Sequence, residues 1–284
     1  QLLGVAAFML ALSAHAQDNP LWMRYCAISP DGTSIAFTYK GDIYTVPVNG
    51  GKAAQITTNA AHDTHPVWSP DGKQIAFASD RMGSMDIFVV DREGGIPKRL
   101  TTHSGNETPV AFKDADHILF LANVMPSAED AQFPSGQFQQ VYEVSTTGDR
   151  PVMFSSMPME DISINKTGNA LLYHDKKGYE DPWRKHHTSS ITRDIWLCSL
   201  DGKRSYRKLT SFNGEDRTPV WASDGKSFYY LSEEKGSFNV FKRALDGTSS
   251  TQLTHHTKHP VRFLTAADNG RPVSYTHLRA HETD

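Results

Sequence analysis

Trp68-Ser-Pro-Asp-Gly72, followed two residues later by Ile75-Ala-Phe77, decides the fold because the chain writes it more than once. Upstream it reads Ile28-Ser-Pro-Asp-Gly32 with Ile35-Ala-Phe37, and downstream, in worn form, Trp221-Ala-Ser-Asp-Gly225 with Phe228-Tyr-Tyr230. Each copy continues alike. A second apolar run follows (Asp42-Ile-Tyr44, Asp86-Ile-Phe88, Asn239-Val-Phe241), then a glycine turn, then Ile56-Thr57, Leu100-Thr101 or Leu253-Thr254. A repeat of roughly 40 to 50 residues holding several short strands is the mark of a β-propeller.

Within one copy, Pro66-Val-Trp68 reads as a short apolar strand and Ser69-Pro-Asp-Gly72 as a turn, proline presetting φ and glycine accepting a positive one. Gln74–Ala78 returns, Asp86–Val90 makes a third strand rich in β-branched and aromatic residues, and Lys98–Thr101 forms the outer edge. Four antiparallel strands make a blade. A lone blade leaves both faces wet, so blades must stack. Two degenerate copies remain legible: Thr108–Phe112, His117–Leu121 and Gln140–Val144, then Asp161–Ile164, Ala170–Tyr173 and Asp194–Leu197 closed by Lys208–Thr210. A fifth blade runs from Thr218 to Thr254, and a sixth starts at His259–Phe263 and then loses the pattern. The expected class is therefore all-β, about five blades present plus the start of the sixth, an unfinished ring.

The two ends read differently. Leu2–Leu12 is apolar but too short to span a bilayer, and Ser13-Ala-His-Ala16 carries an Ala-x-Ala cleavage pattern. Residues 1–16 are expected to be a partial signal peptide, cut before Gln17, with export to a periplasm and no membrane span in the mature chain. Val273–Thr283 shows no apolar period and resembles a translated adapter sequence. The propeller is therefore expected over 17–271, with 272–284 a non-native tail in which the helical spacing of His277 and His281 carries no meaning.

With 284 residues, 38% hydrophobic content and a formal charge of −3, the chain suits one globular domain. Its 29 basic and 32 acidic residues give no footprint for nucleic acid or an anionic membrane. The two cysteines, Cys26 and Cys198, fall in the first and fourth blades, too far apart around a ring to bridge, and are expected to be separate buried thiols.

The loops entering the innermost strands open on one face. They are polar: His62-Asp63-Thr64-His65, Gly105–Thr108 with Glu107, Glu160-Asp161, Gly214–Thr218 with Asp216 and Arg217, and His255–His259 with Lys258 and His259. Together they form either a polar vestibule at the mouth of a central channel, suited to a peptide, or a set of solvated surface loops. Two insertions stand beside them, Asn123–Gln139 and Asp175–Ser190, the second dense in Tyr179, Trp183, Arg184, His186 and His187. Adjacent histidines point apart on strand or helix, so no metal is assigned to His186 and His187, and no EF-hand spacing accompanies the Asp-Gly turns. No Gly-x-Ser-x-Gly elbow and no recognisable Cys/His pair occurs. The residues support a binding or gating module with no catalytic group and no cofactor.

Trp22–Tyr25, Ile28–Gly32 and above all Tyr179–Ser190 with Thr192–Trp196 closely resemble the N-terminal propeller of bacterial tricorn-like serine peptidases, over Asn19 to Gly270. The Ser-Pro-Asp-Gly turns alone are shared with TolB-type propellers and prolyl-oligopeptidase relatives. The resemblance implies a six-bladed, TolB-like propeller that filters peptides or unfolded polypeptide toward the chain's own downstream catalytic domains, all of whose catalytic positions lie beyond Gly270. It leaves a homo-oligomer open. The alternative is a non-catalytic periplasmic TolB-like scaffold, though a TolB protein carries an α/β domain ahead of its propeller and here the first blade starts near Asn19. A prolyl-oligopeptidase type would carry its Gly-x-Ser-x-Gly elbow downstream.

Overall fold

The computed structural model describes residues 23–123, 138–178, 189–270 and 272–275. Arg24–Ile28 (β1), Ser34–Tyr39 (β2), Asp42–Pro47 (β3) and Ala54–Gln55 (β4) form an antiparallel sheet in chain order. The pattern repeats in Asp63–Trp68 (β5), Gln74–Ser79 (β6), Asp86–Asp91 (β7) and Lys98–Arg99 (β8). It repeats again in Glu107–Phe112 (β9), His117–Ala122 (β10), Gln140–Ser145 (β11) and Val152–Ser155 (β12). The fourth sheet holds Met159–Ile164 (β13), Ala170–Asp175 (β14), Ile195–Ser199 (β15) and Ser205–Lys208 (β16). The fifth holds Asp216–Trp221 (β17), Ser227–Ser232 (β18), Asn239–Ala244 (β19) and Ser250–Gln252 (β20). Phe263–Ala266 (β21) and Pro272–Tyr275 (β22) make a sheet of two.

The architecture is a propeller of five four-stranded antiparallel blades and a two-stranded sheet; a count of six full blades is not what the described residues contain. The inner ring of first strands closes. Each first strand packs on the next, β1 on β5, β5 on β9, β9 on β13, β13 on β17 and β17 on β21, and β21 returns to β1. Within the segment read as a tail, β22 forms, its Val273 and Ser274 pairing with Thr265 and Leu264. The outer strand β12 went unread because its exposed Val152 and its end lack the closing Leu-Thr pair. The fourth blade's outer strand lies at Ser205–Lys208, slightly ahead of the expected Lys208–Thr210.

Stacking buries one face of each blade against the next. Ile43, Ile75, Phe77 and Phe88 fill the space between the first two sheets, and Ile87, Ile118, Phe120 and Tyr142 the space between the second and third. Leu119, Leu171 and Tyr173 then join the third to the fourth, Leu172, Phe228 and Phe241 the fourth to the fifth, and Leu231, Val261 and Leu264 the fifth to the two-stranded sheet. The recurring tryptophan ties blades as well. The Trp68 indole N–H donates to the Ala27 carbonyl at 3.0 Å, and the Trp221 indole N–H to that of Ser163 at 2.9 Å.

The repeated motif has a local cause. In Ser69-Pro-Asp-Gly72 the Ser69 hydroxyl donates to Asp71 at 2.7 Å while accepting the Gln74 N–H at 2.9 Å, and Gly72 takes φ +68°, where a side chain would be strained. The Ile28 copy repeats these bonds with Ser29, Asp31 and Ser34. Hydrogen bonds from Ser29 and Thr33 accordingly hold the Asp31 carboxyl down at about 2.

Candidate functional site

The six first strands surround an axial cavity of about 730 Å³. Its middle is lined by small or apolar side chains, among them Ala27, Val67, Ala111, Ile162 and Val220. One end is ringed by turn residues such as Pro30, Lys166, Ser223 and Asp268. The other end is charged and aromatic: Arg24, Tyr25, His65, Glu160, Asp161, His174, Arg193, Arg217, Thr218, Arg262 and Phe263.

Bulges aim several of these groups inward. The register of the first two strands slips between Arg24 and Ala27, Thr64 and Val67, Glu160 and Ser163, and Arg217 and Val220. At each slip one residue takes a left-handed backbone: Tyr25 (φ +53°), His65 (+53°), Asp161 (+50°) and Thr218 (+51°). None is glycine. Such a conformation costs about 1–3 kcal/mol for a bulky residue and is kept where the surrounding structure holds it, often at sites of function.

The charged wall belongs to the fourth and fifth blades. Lys176 Nζ bonds Glu160 at 2.7 Å, and Arg193 pairs with Glu215 at 2.8 Å and with Glu160 at 3.5 Å. The Thr218 N–H donates to Nδ1 of buried His174 at 3.3 Å, so the ring proton sits on Nε2, which faces Glu160 Oε2 at 3.2 Å. The Thr218 hydroxyl donates to Asp161 at 2.7 Å. Burial alone would raise the Glu160 carboxyl, yet hydrogen bonds from His174 and Lys176, with the Lys176 charge, hold it well below its ordinary range. Burial lowers the Arg217 guanidinium to about 10 against the pull of Glu215, and its central carbon lies 4.1 Å from the Phe238 ring centre. This wall offers fixed donors and acceptors of both signs, which suits a peptide backbone better than a single ion.

The structure divides the residues expected at the mouth. His65, Glu160 and Arg217 line the cavity. Asp63, Glu107 and Asp216 do not: each starts a first strand but is buried away from the cavity, Asp63 against its own blade, Glu107 against the second blade and Asp216 between the fourth and fifth. Asp63, fully buried, takes two hydrogen bonds from Arg81 at 2.9 Å each. Burial pushes Glu107 up to about 7 against a hydrogen bond from Thr101, and Asp216 up to about 6 against bonds from Ser232 and Thr210. His62, Lys258 and His259 stay outside the cavity wall, Lys258 exposed. Tyr179, Trp183, Arg184, His186 and His187 lie outside the described residues. Sequence reasoning missed Tyr25, although it stands three positions before Ile28 just as His65 stands three before Trp68, Asp161 three before Ile164 and Thr218 three before Trp221. His174 and Arg193 come from or beside other strands and carried no such signal.

The thiols Cys26 and Cys198 are free, and burial raises Cys26 to about 11, leaving it unreactive. Among the described residues no cluster of three or more His, Cys, Asp or Glu is arranged to hold a metal.

Residues 20–277 match the family model of the tricorn protease N-terminal beta propeller domain. The chain belongs to the tricorn N-terminal β-propeller family. Tricorn protease homolog 1 of Streptomyces coelicolor is 25% identical over 84% of this chain and 21% of its own length. The tricorn protease of Thermoplasma acidophilum is 24% identical over 90% of this chain and 24% of its own. The crystal structure of the tricorn protease superposes with a TM-score of 0.72 at 20% identity, over 90% of this chain and 24% of that one. TolB from Acinetobacter baumannii shares the fold at a TM-score of 0.60 and 17% identity, over 83% of this chain and 55% of that one. This tricorn-type propeller thus spans under a quarter of the length of the two curated tricorn relatives named. Among the described residues no helix is long and apolar enough to cross a membrane.

Proposed function

We propose that this propeller conducts peptides or unfolded polypeptide along its axis toward serine-peptidase domains carried elsewhere in the same, longer polypeptide. The observation that carries this reading is the axial cavity, walled by every first strand and furnished at one end with held charges and inward-aimed side chains. The left-handed Tyr25, His65, Asp161 and Thr218 are a local cost of the kind found at functional sites. In the parent the sixth blade is completed to four strands, and the Ser13-Ala-His-Ala16 pattern supports export to the periplasm. Self-association of the parent is compatible with this reading. The tricorn names of the relatives support the proteolytic context.

The second reading, a TolB-like scaffold that binds proteins on its outside, is favoured by the shared fold. One experiment separates the two. The chain is irradiated with a decapeptide carrying a benzophenone, and adducts are mapped by mass spectrometry. Adducts on Tyr25, Pro109, Asp161 or Arg217 are expected; adducts confined to the outer strands β4, β8, β16 and β20 would replace the conducting role with the scaffold.

A further inference from the structure

The cavity mouth is not uniform around its rim. Further round the rim from the charged wall of β13 and β17, three rings from β1, β5 and β21 gather, β21 packing directly on β17. The Tyr25 and His65 ring centres are 3.6 Å apart at an interplanar angle of 31°, and Phe263 meets Tyr25 edge-on with centres 5.4 Å apart. All three line the cavity and all three are only half-buried. Two of them, Tyr25 and His65, hold left-handed backbones, so the rings are brought together against the local preference of the chain. The Thr64 hydroxyl sits 3.1 Å from Nδ1 of His65 and fixes its ring.

We propose that Tyr25, His65 and Phe263 form an aromatic clamp that takes an aromatic or large apolar side chain of an extended peptide in the cavity. The inference rests on the peptide-conducting reading and deepens it by naming the side-chain class selected. Aromatic faces left half-open to a cavity gain by covering with another ring or alkyl group, stacked or edge-on. The charged wall further round the rim, with Asp161, Arg193 and Arg217, supplies partners for the backbone N–H and C=O groups flanking that side chain. Burial lowers His65 to about 4, against the attraction of Asp161, so near neutral pH its ring meets the peptide as an uncharged face, while Arg24 and Arg262, next to Tyr25 and Phe263 in the chain, carry the positive charge at this end of the cavity.

The test is fluorescence anisotropy of labelled heptapeptides, Gly-Ala-Ala-Phe-Ala-Ala-Gly against the same peptide with alanine or lysine at the centre, on the full chain. The phenylalanine peptide is expected to bind about ten-fold tighter than the other two, the scale of one added aromatic contact. Tyr25→Gly, which suits the left-handed backbone, is expected to abolish that preference. Phe263→Leu, which keeps an apolar group at the edge of the packing, is expected to cut the preference several-fold and guards against a folding defect in Tyr25→Gly. Equal binding of all three peptides, or a phenylalanine preference unchanged in both variants, overturns the clamp and leaves peptide conduction standing. Failure of every peptide to bind overturns both.

Discussion

The Thr101 hydroxyl accepts the Ile87 N–H at 2.9 Å, stitching the end of the second blade's outer strand to the start of its third. The same bond recurs at Thr57 with Ile43 (2.9 Å), Thr210 with Ile195 (3.0 Å) and Thr254 with Val240 (2.9 Å). Thr57 and Thr254 also donate back to Asp42 and Asn239. The spacing from Asp-Ile to Leu-Thr seen in the sequence is therefore a hydrogen-bond device that replaces ladder pairing where β4 and β8 are only two residues long.

Removing it has a defined cost. Thr101→Val keeps the shape but leaves the buried Ile87 N–H without its acceptor, for a loss of about 1–3 kcal/mol. At about 2–4 °C per kcal/mol for a chain of this size, the melting temperature falls measurably, and Thr101→Ser restores most of it. Equal melting of Thr101→Val and wild type by calorimetry would show that water or another group serves that N–H.

Glu107 sets a pH dependence. Its carboxyl is raised from 4.5 to about 7 by burial, so the folded state keeps a proton that the unfolded state has already lost between those values. The contribution of this group to stability is therefore full below pH 4.5 and declines as pH rises through 7. Glu107→Gln mimics the protonated form. It is expected to raise the urea midpoint relative to wild type at pH 8 and to change it little at pH 4.5. A variant that loses stability equally at both values would show that the carboxylate, when ionised, is well paired.

The fold was legible because turn chemistry and the strand period repeat together: Ser-Pro-Asp-Gly, then an apolar strand, then Asp-Ile, then Leu-Thr. Where one token is lost, as at Val152 in β12, the reading lost the strand. The site was half legible. Polar loops marked where the mouth lies, but loop composition does not say which way a side chain turns. Asp63 and Asp216 look like vestibule acids and in fact are buried away from the cavity, while Tyr25 looks like an ordinary strand residue and is aimed inward by a bulge. A one-residue slip in register reverses the face, and only the paired strand fixes it.

Asp63 and Arg81 form a buried ion pair with side-chain exposures of 0% and 13%. The guanidinium also bonds Ser79 at 2.9 Å and lies 4.6 Å from the Phe88 ring centre. Asp63→Ala strands a mostly buried cation and is expected to cost about 3–5 kcal/mol. Asp63→Leu combined with Arg81→Met removes both charges and is expected to recover most of that loss. Double-mutant analysis by urea denaturation reads the coupling; additive losses would mean that Arg81 finds water once its partner is gone.

The two-stranded sheet gives the last prediction. Leu264 is 6% exposed and packs in a cluster with Ala222, Tyr229, Val240 and Val261, so β21 belongs to the core of the fifth blade although its own blade is short. The Asp268 N–H donates to the Pro30 carbonyl at 3.0 Å, which ties the same hairpin to the first blade. A hairpin held on both sides closes the ring by packing, without two further strands. Leu264→Ala is then expected to destabilise the whole propeller by about 2–5 kcal/mol, as in any core site of this kind. The loss should appear in a single cooperative transition. A separate low-temperature step confined to the hairpin, seen as early hydrogen exchange at Leu264 and Thr265 with the other blades protected, would show that closure depends on strands contributed from elsewhere in the parent protein.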